Sequence, residues 1–101
     1  MIQFFSYYRN IDQWKRENGF NSSMFQTLIY SAKLFDKRES IRANYLRRLL
    51  PNIQLQVIQA NLDKLVKLGI ISKDKYIYTP IQPKFNKYLT SILDYVIRKG
   101  E

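Results

Sequence analysis

The side chains most capable of chemistry in this chain are its cations. Its 101 residues include 17 Lys plus Arg against 8 Asp plus Glu, a formal net charge of +9, with no Cys and no His. Ammonium and guanidinium groups in such excess bind polyanions, nucleic acid first and an acidic membrane surface second. The missing Cys and His exclude disulfide frameworks, zinc fingers, thiol catalysis, Ser-His-Asp triads and His-ligated metal sites. They also remove the one side chain whose ordinary pKa lies near neutrality. No glycine-rich phosphate loop and no nucleophile–base pair is legible either. The expectation is therefore a binding protein, with no catalytic residue, no metal and no cofactor.

The cations are unevenly placed. Residues 37–87 hold eleven of them, Lys37, Arg38, Arg42, Arg47, Arg48, Lys64, Lys67, Lys73, Lys75, Lys84 and Lys87, against Glu39, Asp63 and Asp74. That stretch carries +8 of the +9, whereas the two flanks are nearly neutral. A surface charged only for solubility has no reason to concentrate its imbalance in this way.

The elements that must position these groups follow from periodicity. With 46% hydrophobic and 15% aromatic residues, the chain can close one core, and its length suits a single domain over residues 1–101. Phe4, Tyr7, Tyr8, Ile11 and Trp14 recur at helical spacing, and Asn18-Gly19 reads as the helix stop. The rival pattern is a short strand at 2–8, with Asn10 capping a helix from Ile11. Ser22 and Ser23 are good caps for a second helix to about Arg38, with Phe25, Leu28, Ile29, Ala32 and Phe35 inward. Ser40 is expected to cap a third helix over 41–50, which Pro51 ends. Asn52 is expected to cap a fourth, over 53–68, with Ile58, Leu62, Leu65 and Val66 inward and Gly69 just beyond its end.

The period then changes. Residues 69–72 and 75–79 are β-branched and aromatic around a polar Lys73-Asp74 turn, which predicts a small hairpin. Pro80 and Pro83 interrupt the chain before a last helix over 84–98. No stretch is long and apolar enough to span a bilayer, and residues 1–8 lack the marks of a signal peptide, so an intracellular protein is expected. The heavy use of Ile, Tyr and Lys without Cys is compatible with an archaeal virus or plasmid, or an AT-rich phage.

Residues 40–79 resemble the winged helix-turn-helix superfamily. The resemblance rests on a short helix, a Pro-Asn turn and the run Leu62-Asp63-Lys64-Leu65-Val66-Lys67-Leu68-Gly69-Ile70-Ile71, with Ile58 one turn earlier. A hairpin wing over 71–79 and the Thr79-Pro80 entry to the final helix complete it. The implied fold is mainly α with a small β-hairpin: a winged-helix unit over 22–83, an N-terminal helical extension over 1–21 and a C-terminal helix over 84–101. The implied function is a dimeric double-stranded DNA-binding protein, a small transcriptional regulator, whose fourth helix enters the major groove.

On that reading Gln54, Gln56 and Gln59 contact bases, since an amide pairs bidentately with adenine. Asp63 is able to accept from a cytosine amino group. Arg42, Arg47, Arg48, Lys64, Lys67, Lys73 and Lys75 contact phosphates, which position the protein without reading sequence. Tyr76 and Tyr78 are expected to pack within the wing. Phe85, Leu89, Ile92 and Val96 are expected to form a homodimer interface, unless the terminal helices simply pack on each other. The alternatives are a DNA-organising or replication-linked protein of low specificity, and a winged helix that binds protein without DNA.

Overall fold

A computed structural model of the chain describes the backbone of residues 2–100 and the side chains of residues 9–95. Helix α1 spans Ile2–Asn18, α2 Ser22–Phe35, α3 Ala43–Leu49 and α4 Leu55–Lys67. Strands β1 (Ile71–Asp74) and β2 (Ile77–Pro80) follow, then α5 over Lys84–Gly100. The described chain is thus mainly helical, with one two-stranded antiparallel hairpin.

The first seventeen described residues are helical throughout, so the strand alternative for 2–8 does not hold. Gly19 ends α1 in the left-handed region at φ 72°, a conformation glycine adopts without steric cost. The cap of α2 is Asn21 and not a serine: its Oδ1 accepts from the Met24 amide at 2.8 Å and from the Ser23 hydroxyl at 2.8 Å. The helix also stops three residues short of Arg38, at Phe35.

The innermost line of α2 is Met24, Thr27, Leu28 and Ser31, so two hydroxyls sit where apolar side chains were expected. They are satisfied locally. Thr27 donates to the Ser23 carbonyl and Ser31 to the Thr27 carbonyl, at 2.8 and 2.6 Å. Asn61 of α4, also buried, donates to Thr27 Oγ1 at 3.2 Å and Ser23 Oγ at 3.3 Å. This polar seam sets the register of α4 on α2, because a slip along the axis would strand buried donors. Ile58, Leu62 and Leu65 of α4 fill the core beside it, with Leu28, Ile41, Leu46 and Ile71.

Two further boundaries move. Ile41 and Ser40 lie outside α3: the Ile41 amide and carbonyl both bond to Tyr78, at 2.8 Å each, as an isolated antiparallel bridge on the outer edge of β2. Arg42 takes the cap position without a side-chain cap bond. Asn52 lies in the turn after Pro51, and Gln54, in extended conformation, precedes α4. At Ile41 the tertiary backbone pairing with Tyr78 overrides a local capping preference.

The hairpin turn is Lys75-Tyr76, two residues later than the polar pair at 73–74. The register pairs Ile71 with Pro80 and Lys73 with Tyr78. That places buried Ile71 and buried Tyr78 on the face turned to the helices, along with Lys73. Lys75 accommodates the turn at φ 58°. Helix α5 closes the fold against α1, where Trp14 meets Phe20 at 5.0 Å and Tyr88 at 5.8 Å between ring centroids. The Tyr95 hydroxyl also donates to the Glu17 carboxylate.

A left-handed Lys75 costs roughly 1 kcal/mol that glycine does not incur. Lys75→Gly is therefore expected to raise the unfolding free energy by about 0.5 kcal/mol, after its greater unfolded-chain entropy is counted. Lys75→Val is expected to lower it by more than 1 kcal/mol, since a β-branched residue is least tolerant of that region (roughly). Urea unfolding midpoints of the two variants check this, and an unchanged or reversed order would contradict the turn geometry.

Candidate nucleic-acid interface

The face of α4 away from the core is set by its own apolar stripe. Ile58, Leu62 and Leu65 point inward, so Gln56, Ala60, Asp63 and Lys67, spaced four, three and four, form the opposite stripe. Gln56, Ala60 and Lys67 are exposed and Asp63 is half-buried. Gln59 is exposed one position around the helix, on the side of the hairpin. Lys64 and exposed Val57 lie on the flank away from it by the same spacing. Gln54 precedes the helix and is not part of the stripe.

Asp63 joins this helix to the hairpin. Its Oδ1 accepts from the Lys73 ammonium at 3.1 Å and from the Tyr78 hydroxyl at 3.0 Å. The Lys73 ammonium also lies 5.5 Å from the centre of the Tyr78 ring. Burial first, and then the bond to Asp63, push the Tyr78 hydroxyl above its ordinary pKa, while the neighbouring Lys73 pulls it down. Hydrogen bonds to Asp63 and then to Tyr78 push the Lys73 ammonium up in turn.

Between α3, α4 and the hairpin lies an open cleft of about 440 Å³, lined by Arg42, Ala43, Asn44, Gln59, Asp63, Lys73, Tyr76 and Tyr78. Four of the DNA-contact candidates thus come together: Arg42, Gln59, Asp63 and Lys73. Arg47 and Arg48 sit at the other end of α3, half-buried and exposed respectively. Lys75 is at the hairpin tip, outside the cleft lining, and Lys64 and Lys67 lie at the far end of α4.

The aromatic pair of the hairpin divides. Tyr78 is buried, as packing requires, but Tyr76 is 78% exposed at the tip and packs on nothing in the core. Asn44 and the exposed Tyr76 were not legible as site residues. Asn44 is an unremarked polar position of a short helix, and Tyr76 comes free only because the turn falls at 75–76. The Asp63–Tyr78 contact joins residues fifteen apart across two elements, where no periodicity points to it.

Among the described residues two ion pairs form, Lys15–Asp12 at 3.2 Å and Lys73–Asp63 at 3.1 Å. Arg42, Arg47, Arg48, Lys64, Lys67 and Lys75 therefore have no carboxylate of a described residue in range. Arg38 stacks instead over Tyr45, 4.7 Å from the ring centre. No group of three acidic side chains placed to hold a metal occurs among the described residues, and none of their helices is long and apolar enough to cross a membrane.

The dimer stripe needs correction at two of its four positions. Phe85 and Ile92 are buried inside the chain itself, Phe85 meeting Phe35 edge-on at 5.3 Å, so neither is available to a second copy. Leu89 is half-buried, and Val96 lies outside the residues whose side chains are described. Leu93, 60% exposed, is the apolar side chain that α5 does present. The physical reason is size: a domain this small needs both terminal helices to complete one core.

Comparison of the chain with protein-family models, with curated proteins and with solved structures finds no match.

A tyrosine whose pKa is raised by folding stabilises the fold fully below its ordinary value of 10.0, and that contribution is lost as pH rises through the folded value. Chemical denaturation from pH 8 upward should therefore show stability falling above about pH 10. Tyr78→Phe should begin lower, by about 1 kcal/mol for the lost bond to Asp63, and fall less steeply. Parallel pH profiles for the two proteins would contradict the Tyr78–Asp63 contact.

Proposed function

We propose that this protein binds double-stranded DNA as a winged helix-turn-helix, with the exposed face of α4 in the major groove and cations around it on phosphates. The observation that carries the reading is the surface around the α3–α4–hairpin cleft. Arg42, Gln59 and the stripe from Gln56 to Lys67 share one side of the molecule, and the cations there, Lys73 apart, lack carboxylate partners. An unpaired basic surface loses little on meeting phosphate and releases the condensed counterions of the duplex.

The winged arrangement is supported by three features together. The turn at 50–54 sets short α3 against α4, the hairpin follows α4 directly through left-handed Gly69 at φ 80°, and the Ile41–Tyr78 bridge holds the hairpin beside α3. An α-helix fits the major groove of B-DNA, and the exposed amides of Gln56 and Gln59 match the adenine edge there. Gln54, outside the helix, is the weakest of the three proposed base contacts. Arg42, Arg47, Arg48, Lys64, Lys67 and Lys75 are the proposed phosphate contacts. A small transcriptional regulator is the simplest protein of this kind.

The test is fluorescence anisotropy with a random-sequence duplex of about three helical turns over a salt series. Binding at low salt is expected, with log K falling linearly in log salt. Arg42→Ala should flatten that slope by about 0.9, the value of one phosphate contact. Gln59→Ala should leave random-duplex affinity within about twofold while changing the sequences enriched by selection. No binding at about 50 mM salt by the folded protein would overturn the proposal. Equal affinity for selected and random sequences would make it a DNA-organising protein.

A further inference from the structure

We infer that Asp63 is a specificity-determining residue of this surface, because it holds Lys73 as an internal counter-ion and so withholds that cation from non-specific DNA. The inference rests on the DNA-binding reading of the same face. Asp63 is the one acid on the outer stripe of α4, flanked by Ala60 and Lys67, and its position in the middle of that stripe is where a duplex would come closest. A bare carboxylate there would repel every duplex alike. Instead its Oδ1 is shared between Lys73 at 3.1 Å and Tyr78 at 3.0 Å.

The strand register enforces this pairing. Lys73 stands directly opposite Tyr78 on the helix-facing side of the hairpin, and the Ile41 bridge fixes the other edge of that strand. Lys73 therefore differs from Arg42 across the cleft, which has no carboxylate partner. Against a random duplex, taking Lys73 to a phosphate leaves Asp63 uncompensated among phosphates, so the two charges stay together and contribute nothing net. Where the groove presents a base amino group at Asp63, the carboxylate has another donor, the kind it would find on cytosine N4, and Lys73 is released to the backbone. Non-specific affinity is thereby lowered by an element that a matching site removes.

The experiment compares the native protein with Lys73→Met, Asp63→Asn and the double variant, on a random-sequence duplex between about 50 and 200 mM salt. Lys73→Met is expected to weaken random-duplex binding, because it leaves Asp63 a bare carboxylate facing phosphates, without flattening the slope of log K against log salt by the value of one phosphate contact. Asp63→Asn should steepen the slope by about 0.9, making it lose about threefold to fourfold more affinity than the native protein over that range. The double variant should return to the native slope, which simple removal of a repulsive charge would not produce.

A native slope that flattens by about 0.9 on Lys73→Met alone, or an Asp63→Asn slope that does not change, overturns the inference while leaving DNA binding intact. Absence of native binding overturns the DNA-binding reading and the inference with it. The contact itself is read without DNA: in carbon-13-labelled protein Asp63→Asn should lower the titration midpoint of Tyr78, and unchanged unfolding midpoints confirm that each variant is folded.

Discussion

Tyr78 exchanges both backbone hydrogen bonds with Ile41 while its hydroxyl donates to Asp63, so one strand position is tied at once to the segment before α3 and to the middle of α4. A two-stranded hairpin is marginal in water on its own, and this one has only four residues in each strand. It is ordered because Ile71 and Tyr78 are buried against the helices and because the bridge to Ile41 covers one edge. The angle between hairpin and α4 follows from those contacts. So does the cleft between them, together with the side chains that line it.

The same knot decides which charges are free. Among the described residues Asp63 is the carboxylate that pairs with a hairpin cation, and it takes Lys73. Arg42, Lys64, Lys67 and Lys75 are left with solvent, on an exposed surface that also carries Gln56 and Gln59. Exposed cations in this number destabilise a small fold slightly through mutual repulsion, and a polyanion relieves that repulsion. Structure and proposed function are linked here by electrostatics more than by shape.

Element types were legible in the sequence because each helix repeats its apolar residues at three and four, and because the β-branched run after Gly69 breaks that period. Ile58, Leu62 and Leu65 are as buried as their spacing implies. What was not legible depended on partners distant in sequence. Asn21 is the cap in place of the serines, and the Ser23 hydroxyl donates to it while accepting from Asn61 of α4, thirty-eight residues away. Ile41 leaves its helix for a strand edge thirty-seven residues later, and the hairpin turn sits at Lys75-Tyr76 because burial of Ile71 and Tyr78 outweighs the turn preference of Lys73-Asp74. Of the candidate site, Arg42, Gln59 and Lys73 were recognisable by residue type, but Asn44, exposed Tyr76 and the role of Asp63 emerge only when α3, α4 and the hairpin are brought together. Phe85 and Ile92 looked free on α5 because a helical stripe does not reveal whether its partners are helices of the same chain, here α1 with Phe35 of α2, or a second molecule.

On the proposed function one continuous face, α4 with the hairpin beside it, meets the duplex. Amide chemical-shift mapping during titration with a random-sequence duplex tests it most directly. Shifts are expected to concentrate at Arg42, Gln56, Gln59, Ala60, Lys67 and residues 73–76, with the amides of α1 and of the α2–α5 side unmoved. Shifts centred on the groove between α2 and α5, around Lys33, Asp36 and Leu93, would contradict it.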